Sequence, residues 1–149
     1  MFYTKNRSIV SKFGFRRRIA VDFDGVCSKF VDSTYQTIGD PVDGAIDILA
    51  NLRELGWYIV LWSSRTNAMT KEELSQAPSE YPKLMMDMID WLERYNFPYD
   101  EIWMGGQKPP CAYFIDDRAI SFDEKRSDLG WVNVFNQIQK DHTLWKKLQ

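Results

Sequence analysis

The chain has a single histidine, His142, and two cysteines, Cys27 and Cys111, among its 149 residues. Zinc frameworks need histidine and cysteine at short, set spacings, and no C-x-x-C pair occurs, so that class of metal site is excluded. His142 stands in a polar carboxy-terminal segment, far from the acidic motifs described below, which excludes a histidine-centred triad as well. The cysteines read as free thiols, buried near strand ends in a reducing compartment. Long apolar runs are also missing, since nothing approaches the roughly 20 residues that span a bilayer. The basic residues at the amino terminus are not followed by an apolar stretch of the signal-peptide kind. Neither a membrane helix nor a secretion signal is expected, and a cytoplasmic location is. Internal repeats and low-complexity tracts are absent.

What is present suits one domain of ordinary size: 44% of the residues are hydrophobic and 15% aromatic, enough for a real core. Charge is spread unevenly. Lys5, Arg7, Lys12, Arg16, Arg17 and Arg18 all precede the first acidic residue, Asp22, and the rest of the chain is net acidic. Residues 1–17 are therefore expected to form a basic arm that stays solvated, docks on the acidic body or holds an acidic partner.

Strand-like and helix-like stretches alternate. The run 18–23 reads as a buried strand, and 43–55 as a helix with Asp43 as N-cap, Gly56 as its stop and Ala45, Ile48, Leu49, Leu52 and Leu55 on one face. A strand follows over 57–62. Met85, Met88, Ile89, Leu92 and Tyr95 repeat at helical spacing between Pro82 and Asn96, and their apolar face reads as core packing. Short strands are predicted at 102–103, 112–115 and 131–135, with a terminal helix from Asn136 onward. Such alternation predicts a parallel sheet covered by helices on both faces. The irregular stretches 28–41 and 66–82, the second with a short helix over 71–77, follow strand carboxyl ends and are candidate walls of a site.

Polar residues stand just beyond each apolar strand. Asp22 and Asp24 follow the first, Ser63, Ser64 and Arg65 the second, and Asp116 and Asp117 the run 112–115, with Lys108 in the loop before it. In a parallel sheet all of these gather at one end, where doubly wound folds bind their ligands. Grouped carboxylates without histidine or thiolate favour a hard cation, and Mg²⁺ is the usual one where phosphate also binds. One carboxylate can then attack phosphorus while the other serves as acid and base. A lysine and a short hydroxyl would hold the phosphoryl oxygens.

The order IAVDFDG, LWSSR and KPPCAYFIDDRAI resembles the haloacid dehalogenase superfamily of phosphohydrolases, and is similar to its small bacterial and phage members. The likeness covers roughly residues 18–135. It implies a three-layer α/β sandwich with a central, Rossmann-like parallel sheet, the first strand lying between the second and the one ending at Asp116, all in one catalytic domain over 18–149. It also implies Asp22 as a nucleophile that forms an aspartyl-phosphate, Asp24 as general acid and base, Ser63 on the phosphoryl group, and Lys108 neutralising its charge and orienting Asp22. Asp22, the backbone carbonyl of Asp24, Asp116 and Asp117 would hold Mg²⁺, while Ser64 and Arg65 are candidates for substrate contact. Val26 departs from the family, which often has threonine after Asp-x-Asp-Gly, so one side-chain hydroxyl is missing beside the nucleophile.

The intervals after the first two motifs are short, so a minimal cap is expected. An open site favours a large substrate or a wall borrowed from a second subunit, and the basic arm points to nucleotides or nucleic-acid ends, so these and a homo-oligomer are the expected partners, with no membrane. Other readings fit less well. Neither cysteine begins the C-x5-R loop of thiol phosphatases, and a receiver domain carries its acidic pair early and its lysine last, the reverse of this order. Asp24 suits phosphate esters better than dehalogenation, and a short cap protects a mutase phosphoenzyme poorly from water. The alternative from another class is a non-catalytic module that keeps the metal and phosphate site and holds a nucleic-acid or protein partner.

Overall fold

The structure, a computed structural model, describes residues 17–66 and 80–149, with side chains of the second stretch from residue 83. The basic arm up to residue 16 and the helix expected over 71–77 lie outside the described residues. Four strands form one all-parallel sheet in the order β3-β2-β1-β4: β1 (Arg18–Val21), β2 (Tyr58–Leu61), β3 (Glu101–Ile102) and β4 (Tyr113–Ile115). The helices are α1 (Ala45–Glu54), α2 (Glu80–Arg94) and α3 (Trp131–Leu148). This is a Rossmann-like α/β fold, and β1 lies between β2 and β4 as expected.

Register explains why the two central strands read as unbroken apolar runs. Ile19 pairs with Ile59 and Tyr113, Ala20 with Val60 and Phe114, and Val21 with Leu61 and Ile115. Both β1 and β2 are inner strands, and packing on the two faces of the sheet leaves Ile19 to Val21 and Ile59 to Leu61 buried whichever way they point. On one face Ile19, Val21, Ile59 and Leu61 pack with Leu49 of α1 and Met88, Trp91 and Leu92 of α2. The other face is a thinner cluster of Ala20, Val60 and Cys111, bordered by Tyr58, Trp62, Trp103 and Phe114. Both cysteines are free and buried. At the amino-terminal end of β1, Arg18 pairs with Glu101 at 2.8 Å and lies over the Tyr58 ring.

Both helices of this unit end as their sequences announce. Gly56, at φ 89°, follows α1, and its N–H and that of Trp57 donate to the carbonyls of Arg53 and Leu52. Asn96 repeats the arrangement after α2, with its N–H on Glu93 and that of Phe97 on Leu92. These paired bonds satisfy last-turn carbonyls, and Phe97 closes over Leu92 in the core.

Three expectations change. The N-cap of α1 is Gly44 rather than Asp43, and no side chain caps the helix there. Leu49 is its buried residue, with Ala45, Ile46 and Leu52 partly buried against the core, while Ile48 and Leu55 are exposed. Helix α2 begins ahead of Pro82, which a first turn tolerates because its missing N–H would be unpaired anyway. The core side of α2 also includes Trp91, whose indole N–H donates to the Gly39 carbonyl at 2.8 Å.

The chain divides into two compact units, one running up to Asp117 and the other Arg118–Gln149. In the second, the run 131–135 is not a strand but the start of α3. Four apolar residues and Asn133 within five positions cannot by themselves distinguish the two, and here helical spacing continues through Phe135, Ile138 and Trp145. Gly130 precedes the helix in an extended conformation, and the Phe122 and Trp131 rings meet at 5.3 Å, tilted by 58°. Among the described residues no helix is long and apolar enough to cross a membrane.

Candidate active site

The site grows from the end of β1. Beyond Val21 the chain stays tied to the sheet for one more residue, the Asp22 N–H donating to the Ile115 carbonyl at 2.9 Å. It then turns sharply about the Phe23 carbonyl, which accepts the N–H groups of Cys27 and Ser28 at 2.9 and 3.1 Å. Phe23 points inward with no exposed surface, edge-on to Trp91 at 5.1 Å, so the acidic residues on either side of it are turned away from that core position. The turn requires Gly25 for two reasons. Its φ is 85°, and a Cβ there would lie 2.7 Å from Asp117 Oδ2. The glycine that makes the turn thus also makes room for a carboxylate arriving from β4.

Asp22, Asp116 and Asp117 converge there, each with a carboxylate oxygen within 4.8 Å of the others. Asp22 and Asp116 are half-buried and Asp117 is exposed. Burial is the main reason that the Asp22 carboxyl is pushed up to about 6, with the negative charges of Asp116, Asp117 and Asp24 adding to it. The N–H of Phe23, 2.8 Å from Asp22 Oδ1, opposes the rise. All three donors are hard oxygens with no thiolate or imidazole among them, and this fits a cation such as Mg²⁺ or Ca²⁺. Cys27, although adjacent, is held as a thiol. Burial raises its pKa, and its Sγ–H donates to the Asp22 carbonyl at 3.2 Å.

The second carboxylate of the first motif faces elsewhere. Asp24 accepts two hydrogen bonds from Arg65, Nε to Oδ2 at 2.8 Å and Nη2 to Oδ1 at 2.9 Å. Arg65, a candidate for substrate contact or for a structural role at the sheet end, is buried with its guanidinium engaged inside the protein. Its neighbours in the second motif divide by exposure. Ser63 is buried, its Oγ accepting the Arg65 N–H at 3.2 Å, whereas Ser64 is exposed at the start of a short 3₁₀ turn. Lys108 is exposed, and its ammonium lies 4.3 Å from the centre of the Phe114 ring.

The structure therefore gathers Asp22, Asp116 and Asp117 into one cluster, joins Asp24, Ser63 and Arg65 into a second, and rests Lys108 on an aromatic face. Sequence reasoning missed three participants. Thr66 is buried with Oγ1 3.1 Å from the Ser63 carbonyl and 3.0 Å from that of Trp103, which pins the turn after β2. Tyr35 lies over the Arg65 guanidinium, and the Leu84 carbonyl accepts from its Nη1. None carries a local pattern, apart from the hydroxyl of Thr66 directly after the second motif.

The raised Asp22 carboxyl makes a prediction about stability. A carboxyl with a higher pKa folded than unfolded binds more protons in the native state, so stability falls as pH rises from about 4 to about 6 and then levels off. In EDTA, Asp22→Asn should melt close to wild type near pH 4 and above it from pH 6 upward. Thermal melts of the two proteins across this range check it, and a gap that does not change with pH would contradict it.

Comparison with known proteins adds little at the level of sequence: no family model matches the chain, and no curated protein does. A solved structure with a similar backbone is that of a conserved protein coded by a locus of Bacteroides thetaiotaomicron. It is 20% identical, with a TM-score of 0.48, and the match covers 83% of this chain and 90% of that one. So distant a likeness transfers no activity.

Proposed function

We propose that the protein is a phosphohydrolase of the haloacid dehalogenase type, acting on phosphate monoesters with Mg²⁺ as its resident cation. One observation carries the reading: Asp22, Asp116 and Asp117 bring carboxylate oxygens within 4.8 Å of one another at the carboxyl end of a parallel sheet. The donor set suits Mg²⁺, which would neutralise charge on the phosphoryl group.

Asp22 supplies the nucleophilic oxygen. Its carboxylate forms a bond to phosphorus as the bond to the leaving oxygen breaks, giving an acyl phosphate on Asp22. Asp24 gives a proton to the leaving oxygen and takes one back from the water that hydrolyses the acyl phosphate, so the pair returns to its starting state. The Ser63 hydroxyl accepts the Arg65 N–H and keeps its own proton to donate to a phosphoryl oxygen. Lys108, perched on Phe114, offers positive charge to the same group. The basic residues of the arm ahead of β1, Lys5, Arg7, Lys12, Arg16 and Arg17, favour nucleotides or nucleic-acid ends as substrates.

Release of inorganic phosphate tests the reading, with p-nitrophenyl phosphate, nucleoside monophosphates, sugar phosphates and a 5′- or 3′-phosphorylated oligonucleotide as substrates. Turnover is expected with Mg²⁺ and none with EDTA. Folded protein that binds Mg²⁺ and releases phosphate from none of them would favour a non-catalytic module that holds a phosphorylated partner. Equal rates on oligonucleotide and sugar phosphates, unchanged when residues 1–17 are removed, would exclude the nucleic-acid preference.

A further inference from the structure

Among the described residues, Arg65 is the charged side chain that is buried, with 1% of its side chain exposed. A buried guanidinium is costly unless its donors are paired, and an apolar residue of similar size fills a core position without that cost. Here the pairing is thorough. Two donors hold the two oxygens of Asp24, and Nη1 reaches the Leu84 carbonyl at 3.4 Å. The Phe23 and Tyr35 rings lie 5.7 and 5.6 Å from its central carbon. Tyr35 reaches this place from a backbone at φ 58°, a conformation uncommon for a bulky residue. The strain sits where the 28–41 loop meets the guanidinium.

A planar fork on a planar carboxylate fixes both its distance and its rotation, which a single donor or a point charge does not do. Each carboxylate oxygen also keeps a second lone pair, so the grip leaves Asp24 able to exchange a proton with a ligand. We infer that Arg65 is a positioning residue, holding the Asp24 carboxylate in the orientation that proton transfer needs, with the 28–41 loop and α2 as its supports. The inference rests on the phosphohydrolase reading and gives the second motif's arginine a task that does not involve touching substrate.

A double-mutant cycle on p-nitrophenyl phosphate in Mg²⁺ tests it, using Asp24→Asn, Arg65→Met, their combination and Arg65→Lys, each verified as folded by circular dichroism. Arg65→Met is expected to lower kcat about 10²-fold, the lower end of what acid–base catalysis contributes, with KM changed less than about threefold. Arg65→Lys should restore folding stability but less than about a tenth of the lost kcat, because it keeps the charge and loses the fork. The double variant should be no slower than Asp24→Asn alone. Losses that multiply, a kcat unchanged or raised in Arg65→Met, or full rescue by lysine would each overturn the inference while leaving the phosphohydrolase reading intact. If Arg65→Met does not fold, Arg65→Lys and its combination with Asp24→Asn complete the cycle. Wild type without turnover on any phosphate ester would overturn that reading and the inference with it.

Discussion

Asp22→Asn is expected to abolish phosphate release, by about 10³-fold or more, in a protein that remains folded. The amide is nearly isosteric with the carboxylate but is a far weaker nucleophile, so the loss should fall on kcat. If Asp22 is the nucleophile of the proposed reaction, its replacement should cost the fold little and the chemistry much. Its backbone N–H, which donates to the Ile115 carbonyl, is unaffected by the change. Its side chain is a half-buried charge facing two others, and burial with mutual repulsion already pushes its carboxyl up to about 6. Neutralising it relieves repulsion within the cluster and also takes one anionic donor away from the cation, so the inactive variant should bind Mg²⁺ more weakly. Phosphate-release kinetics and Mg²⁺ titration by calorimetry measure both effects. Activity within about tenfold of wild type would remove Asp22 from the nucleophile's role.

Phe23→Ala is expected to destabilise the protein by about 3–5 kcal/mol, the usual range for deleting a buried phenyl ring. The ring has no exposed surface, meets Trp91 edge-on at 5.1 Å and an 88° interplanar angle, and forms one wall of the Arg65 recess. Few neighbours can collapse into the space, because Trp91 is itself held by Tyr95, Phe97 and its hydrogen bond to Gly39. Domains of this size are stable by about 5–15 kcal/mol, so the loss is a large part of the total. Phe23→Leu keeps most of the volume and should cost less than half as much. Urea unfolding followed by tryptophan fluorescence gives both values, and a cost below about 1 kcal/mol for alanine would mean that this residue does not anchor the turn.

The elements most legible in the sequence were those whose signals are local. Ile19 to Val21 and Ile59 to Leu61 read as buried strands because an inner parallel strand has no polar face to show. Gly56 and Asn96 marked helix ends because left-handed backbone at those points is accessible to few residue types. The run 131–135 misled because five residues, four of them apolar, carry too little periodicity to separate strand from helix start. Asp43 misled as an N-cap because capping depends on where the first turn lies, and it lies one residue further on, at Gly44.

For the site, composition and order alone named the candidate residues and predicted that they lie at one sheet edge. Hard carboxylates without histidine or thiolate pointed to a hard cation, and Asp-x-Asp-Gly with a late Asp-Asp pair pointed to two separate carboxylate tasks. These follow from side-chain type and from the rule that parallel strands end on the same side. Only the tertiary structure decided how the residues share the work. Asp22 and Asp24 are neighbours in sequence, yet one joins Asp116 and Asp117 while the other is taken by Arg65, 41 residues away. The reason is that a carboxylate's role depends on what lies within a few ångströms of it. Those neighbours are brought by strand register, by the turn around Phe23 and by a buried arginine whose partner no sequence spacing specifies.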